Sequence, residues 1–320
     1  MKVTRRLLLQ TSGAVAVGGL FARGAVTASA EEQPLLVDCH THFFDPSRPE
    51  GVPWPGKDDE LLYRTTLPKD FLAQAEPLGV TKTVVVEASP WVEDNQWLLD
   101  LAAKNKSILG VVGNLTPGGP DFAKHLKRFA ANKIYRGIRV NHDALRVGLA
   151  KNEFLADLRG LAEQDLSLDV NGGPDMPADV ARAAEIIPHL RIVINHLANV
   201  DIDGGEVPKE WAAGMRQAAK HENVFCKVSA LVEHARPKPG VPKTAGQKIP
   251  TDVAFYRGVL DAIWEAFGDD RLIFGSNWPV SDLYAPYRNL FGIVQQYVKS
   301  RRGRAAEKFF AKNSQAAYRW

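Results

Sequence analysis

Asp38-Cys39-His40-Thr41-His42, entered from the apolar Leu35-Leu36-Val37, and Gly275-Ser276-Asn277-Trp278-Pro279 near the other end are the stretches on which the fold turns. The first reads as a strand over 35–43 whose side chains alternate between two faces. Leu35, Val37, Cys39, Thr41 and Phe43 share one mostly apolar face, and Asp38, His40 and His42 share the other. Two histidines two positions apart on a strand lie roughly 6.5–7 Å from each other and point the same way. Both imidazoles can therefore reach one ion.

Outward from that strand, short β-rich apolar runs recur over 83–88, 108–115, 135–141, 166–171, 191–197, 224–231 and 271–278. Segments with helical character separate them, over 68–78, 95–104, 121–132, 153–164, 177–187, 209–221 and 251–267, as the spacing of Phe122, Leu126 and Phe129 illustrates. Strands alternating with helices imply parallel crossovers. Eight such units predict an α/β fold, a (β/α)8 TIM barrel, for which ~250 residues is typical. A doubly wound open sheet would want a glycine-rich phosphate loop after strand one, where this chain has histidines. The barrel makes a demand that the sequence meets, because active sites of this architecture sit at the C-terminal strand ends. His40 and His42, Glu87, Asn114, Arg139 and Asn141, Asp169 and Asn171, Asn195 and His196, Lys227 and Ser229, and Ser276 and Asn277 all fall there.

The 320 residues are 45% hydrophobic and 24% charged, the balance of a globular enzyme rather than a disordered chain. Residues 1–30 read as a leader to be removed. Arg5-Arg6 precedes an apolar stretch that ends at Ala28-Ser29-Ala30, which resembles a twin-arginine export signal and its cleavage site. Periplasmic or secreted residence is expected, with residues 31–320 forming the barrel and no membrane association after removal. The leader carries Lys2, Arg5, Arg6 and Arg23 and no acid, so its loss turns a net charge of +3 into −1. No basic patch then argues for nucleic acid. Cys39 and Cys226 fall on strands one and seven, with strand eight between them, roughly 9–10 Å apart across the sheet. A disulfide needs Cα atoms within about 7 Å, so free thiols are predicted despite an oxidising compartment.

A hydrolytic metal centre needs a few imidazoles or carboxylates held rigidly with one position open. His40, His42 and His196 offer three such nitrogens. The H-x-H closing strand one, the histidine closing strand six and Gly275-Ser276-Asn277-Trp278-Pro279 closing strand eight resemble the amidohydrolase superfamily. The resemblance runs from Val37 through Trp320. Gly137-Ile138-Arg139 and Lys227-Val228-Ser229-Ala230-Leu231 are similar to signatures of its amidohydrolase-related branch, which holds sugar-acid and dicarboxylate lactonases and some non-oxidative decarboxylases. The resemblance implies a divalent metal, zinc in the first instance, on His40, His42, His196 and Asn277. It also implies a small-molecule substrate, a lactone or similar cyclic ester, attacked by an activated water.

One departure matters. The superfamily's strand-eight residue is usually an aspartate acting as ligand and base, and here it is Asn277. An amide offers a carbonyl oxygen but accepts no proton near neutral pH. A metal-free route therefore stays open, and Asn277 is left to orient the water. Glu87 is the first candidate for the base, or else a partner of Arg139 or Lys227; Asp169 and Asp282 follow. Arg139 and Lys227 are expected to bind substrate oxygens. Trp54, Trp91 and Trp278 follow strand ends and are expected to wall a cyclic substrate, whereas His142 and His234 read as loop surface. Two rival functions stay open: a decarboxylase on the same scaffold, and a barrel that binds a sugar acid without turning it over. The oligomeric state is not legible in the sequence.

Overall fold

The computed structural model describes residues 34–236 and 248–320. The expected export signal over 1–30 and most of the loop after strand seven fall outside them. Eight parallel strands follow one another in sequence order: β1 (Leu36–Thr41), β2 (Val80–Val86), β3 (Ile108–Gly113), β4 (Tyr135–Asn141), β5 (Ser167–Asn171), β6 (Arg191–Ile194), β7 (Val224–Val228) and β8 (Leu272–Phe274). Helices connect them, giving the expected (β/α)8 barrel. No helix among the described residues is long and apolar enough to cross a membrane.

Strands covered on both faces need apolar residues in continuous runs, and Val84-Val85-Val86, all fully buried, shows this. One face looks inward. Val37, Val84, Val112, Val193, Phe225 and Ile273 form an interior cluster with Ala311, Ala317 and Tyr318 of the C-terminal segment. The other face packs on helices. In the helix Phe122–Ala130, Phe122, Leu126 and Phe129 bury one stripe, while Lys127 and Arg128 sit favourably against the negative C-terminal end of the helix dipole. The helix Val253–Phe267 starts at Asp252, whose carboxylate accepts from Ala254 N at 2.9 Å.

Two local departures from the sequence reading shape the mouth of the barrel. First, β1 does not alternate throughout. Val37 and Cys39 belong to the interior cluster, yet the His40 ring also reaches the interior, because the β1–β2 register shifts between Asp38 and Thr41. Such a bulge turns consecutive residues to the same side. Asp38 therefore does not share a face with the histidines. Its buried carboxylate accepts from Ser276 N at 2.9 Å, His40 N at 3.1 Å and the Tyr287 hydroxyl at 3.0 Å. Second, several strands stop earlier than their apolar runs. β6 ends at Ile194, and His196 through Asn199 take positive φ near 50°, as does Ala230 beyond β7, while Asn277 beyond β8 has a φ of 67°.

The first and last strands close the ring by a seam rather than a ladder. Asn277 N donates to His40 O and His42 N donates to Trp278 O, both at 2.8 Å, with a single bridge between Thr41 and Trp278. Cys39 and Cys226 are free and buried, and burial pushes the Cys39 thiol up to about 12.

Candidate active site

Inside the mouth lies a cavity of about 770 Å³ whose lining includes His42, Glu87, Arg139, His196, Glu233 and Asn277. The histidines come together. The His40 ring centroid is 5.0 Å from that of His42 and 4.3 Å from that of His196. Burial, reinforced by surrounding positive charge, depresses all three, His42 to about 3, so each imidazole is neutral at pH 7.

A neutral imidazole has one N–H, and its neighbours decide which nitrogen carries it. At His42, Nδ1 lies 2.9 Å from the Val86 carbonyl, which can only accept, so the proton sits there. Nε2 is then a lone pair, and it faces Asn277 Oδ1 at 3.0 Å. The Asn277 amide cannot turn to relieve this, since its nitrogen already donates to Glu233 Oε1 at 3.0 Å. Two acceptors facing each other call for a cation, so the pair fits a divalent metal. Among the described residues no group of three or more His, Cys, Asp or Glu side chains stands ready for a metal. The donors at this locus are one imidazole and one amide, with His196 nearby and its Nδ1 2.8 Å from Ser229 Oγ.

His40 has a different set of neighbours. Lys227 Nζ lies 3.2 Å from His40 Nδ1 and 2.7 Å from Asp169 Oδ2. Burial lowers the Lys227 pKa, while Asp169, in contact with Nζ, opposes this. His40 thus meets Lys227 at Nδ1, while its Nε2 is buried with no hydrogen-bond partner among the described residues.

Four of the expected site residues stand outside the lining of the cavity. Lys227 and Asp169 are fully buried and line no part of the cavity. Asp169 is saturated: besides Lys227 it accepts from Asn195 Nδ2 at 2.9 Å and from the Tyr318 hydroxyl at 3.0 Å. Trp278 is also fully buried, packed against Phe43 and Phe71 at 6.2 and 5.7 Å between centroids, and Trp91 lies outside this cavity. Of the three tryptophans, Trp54 alone reaches the cavity, edge-on to His42. Glu87 lines the cavity but grips Arg139: Oε1 accepts from Arg139 Nε at 2.8 Å, and Oε2 accepts from Ser89 N at 2.9 Å.

His142 and His234 are not loop surface. His142 is buried with Nε2 2.8 Å from Asp179, and His234 lines the cavity. Glu233, buried and beside Asn277, went unread in the sequence. Its only signal was an acid just beyond the Lys227–Leu231 motif. Past the positive φ of Ala230, strand periodicity no longer says where a side chain points.

Comparison with known proteins accords with this geometry. The chain is 33% identical over 254 residues to an L-fucono-1,5-lactonase of Burkholderia ambifaria, covering 77% of this chain and 81% of that one. An L-fucono-1,5-lactonase of Burkholderia multivorans is 30% identical over 281 residues, covering 83% and 90%. The crystal structure of an amidohydrolase from Burkholderia multivorans with bound zinc superposes with a TM-score of 0.75 at 25% identity, covering 89% of this chain and 99% of that one. The model of the amidohydrolase family matches residues 37–320, and the chain belongs to that family.

Proposed function

We propose that this protein hydrolyses the lactone of a sugar acid, opening the ring ester to the hydroxy acid. The observation that carries the reading is the lining of the cavity. Around the His42–Asn277 locus stand Asn114, Asn141, Asn171 and Asn199, uncharged amides that each donate and accept as sugar hydroxyls do. Arg139, the cation among them, is already partnered by Glu87, which suits a neutral ring better than a dicarboxylate. The similarity to two L-fucono-1,5-lactonases supports the same class.

In this reading each residue has a task. Arg139 spends Nε and Nη2 on Glu87 and keeps Nη1 for a substrate oxygen. The two hydrogens of Nη1 then also hold the carboxylate formed on ring opening. Trp54 presents an aromatic wall to the sugar ring. His42 and Asn277, with His196 beside them, would hold a divalent metal, in keeping with the family and the zinc-bound relative. Such a metal supplies a Lewis acid at the carbonyl. The orienting of water at Asn277 belongs to the chain itself. The proposal includes export: the twin-arginine leader over 1–30 would deliver the enzyme to the periplasm or beyond, which cell fractionation of the full-length chain would test.

A panel of sugar lactones, followed by acid release with metal added or chelated, tests the activity. One acid equivalent per lactone, with no carbon dioxide, is expected. Carbon dioxide release from a carboxylated substrate would replace this reading with a decarboxylase. Binding of sugar acids without turnover would leave a binding protein.

A further inference from the structure

His40 lines no part of the cavity, yet its ring packs against His42 and His196, which do, at 5.0 and 4.3 Å between centroids. Its Nδ1 meets Lys227 Nζ at 3.2 Å, and its Nε2 has no hydrogen-bond partner among the described residues. Whatever fixes Lys227 Nζ therefore bears on how this ring is set. We propose that Tyr318, on the C-terminal helix Asn313–Tyr318, is a positioning residue of the active site. Its hydroxyl, acting through Asp169 and Lys227, sets the His40 ring against His42 and His196.

A lysine is a point charge on a flexible four-carbon stem and holds no position by itself. Here Lys227 Nζ donates to Asp169 Oδ2 at 2.7 Å and lies 5.3 Å from the centre of the Tyr318 ring. Asp169 also accepts from Asn195 Nδ2 at 2.9 Å, and the Tyr318 hydroxyl reaches its two oxygens at 3.0 and 3.1 Å. Tyr318 thus meets Lys227 by two routes, directly by its ring and through Asp169 by its hydroxyl.

Packing alone does not explain that hydroxyl. Tyr318 is fully buried in the interior cluster beside Val37 and Cys39 of β1, where a phenylalanine would supply the same ring without burying a polar group. The helix that carries it is itself pinned to the barrel. Asn313 Nδ2 donates to Leu272 O of β8 at 2.8 Å, and Arg191 Nε of β6 donates to Ala317 O at 2.7 Å. Hydrogen bonds of this kind, made behind a site histidine, hold its ring in one orientation.

Tyr318→Phe in the full chain tests this, with Tyr318→Met as a second way to remove the hydroxyl should the first not fold. In Tyr318→Phe the ring stays, and Asp169 keeps its bonds from Lys227 and Asn195. Tyr297→Phe is the control, because it removes a hydroxyl that donates to Asp261 at 2.7 Å, away from the cavity. Two quantities are read: the assigned ring 15N signals of His40 in the metal-free protein, and kcat and KM on the sugar lactone that the wild type turns over best. The second rests on the lactonase reading above. The His40 signals should move in the Tyr318 variant and stay in the control. Its kcat should fall about tenfold, the lower end for a group that supports a site histidine from behind, with KM within about twofold. Unmoved His40 signals, or a kcat within about twofold of the control, overturn this inference and leave the lactonase reading standing. A wild type inert toward every lactone overturns that reading, and the His40 signals then decide this inference alone.

Discussion

At Asn277 one substitution of nitrogen for oxygen decides how the mouth is wired. An aspartate there would bring a full negative charge to the His42 lone pair, whereas the amide brings a dipole and spends its N–H on Glu233. Asn277→Asp is therefore expected to tighten divalent metal binding by about tenfold or more, since a charged ligand adds at least ~1.4 kcal/mol over a neutral one. Titration of the metal-stripped protein with zinc measures it, and an unchanged Kd would mean that this residue is not a ligand. The spacing of His40 and His42, and the departure at Asn277, were legible in the sequence because strand periodicity and a motif fix them. The ring contacts were not. They are made with Val86 O and Lys227 Nζ, which lie 44 and 187 residues away from their histidines in the chain.

Among the elements, β1 and β8 carry the site and the closure of the barrel together. Gly275, just past β8, lies so close to β1 that an added Cβ would stand 2.8 Å from His40 Cβ and 3.3 Å from Ser229 Cβ. Neither neighbour is the free end of a flexible chain. Gly275→Ala should cost ~1–3 kcal/mol as an overpacked core does, and should lower kcat more steeply than that loss implies, because His40 is what must move. Urea unfolding beside lactone turnover checks this, and a variant with wild-type midpoint and kcat would contradict it. Element order and strand count could be read from alternating apolar runs. Strand ends could not, because apolar residues such as Leu197 and Leu231 continue the run after the backbone has left the strand. The bulge in β1 was hidden for a related reason: Val37, Cys39, His40 and His42 keep no single period, and only packing against β2 and β7 reveals it.

The molecule as a whole buries three neutral histidines, His40, His42 and His196, that the unfolded chain would protonate below about pH 6.5. Their folded pKa values are depressed, so the stability they permit is present above pH 6.5 and is lost as pH falls, by ~1.4 kcal/mol per unit for each. Asp38 works the other way. Burial raises it to about 6, so between about pH 4 and 6 it favours the folded state as pH falls. Three groups outweigh one, and a net loss of ~2–3 kcal/mol is expected between pH 6 and pH 5. Denaturant titrations at pH 7.5, 6 and 5 test the slope, and a flat profile would refute it. The seam has one more consequence. Asn277 N on His40 O and His42 N on Trp278 O are at once the stitches that shut the barrel and the bonds that set the histidines against Asn277. Closure and assembly of the site are then one event, so no partly closed intermediate can be partly competent. Turnover becomes a gauge of ring closure, and its first decline under mild denaturant would mark the opening of that seam before the remaining strands come apart.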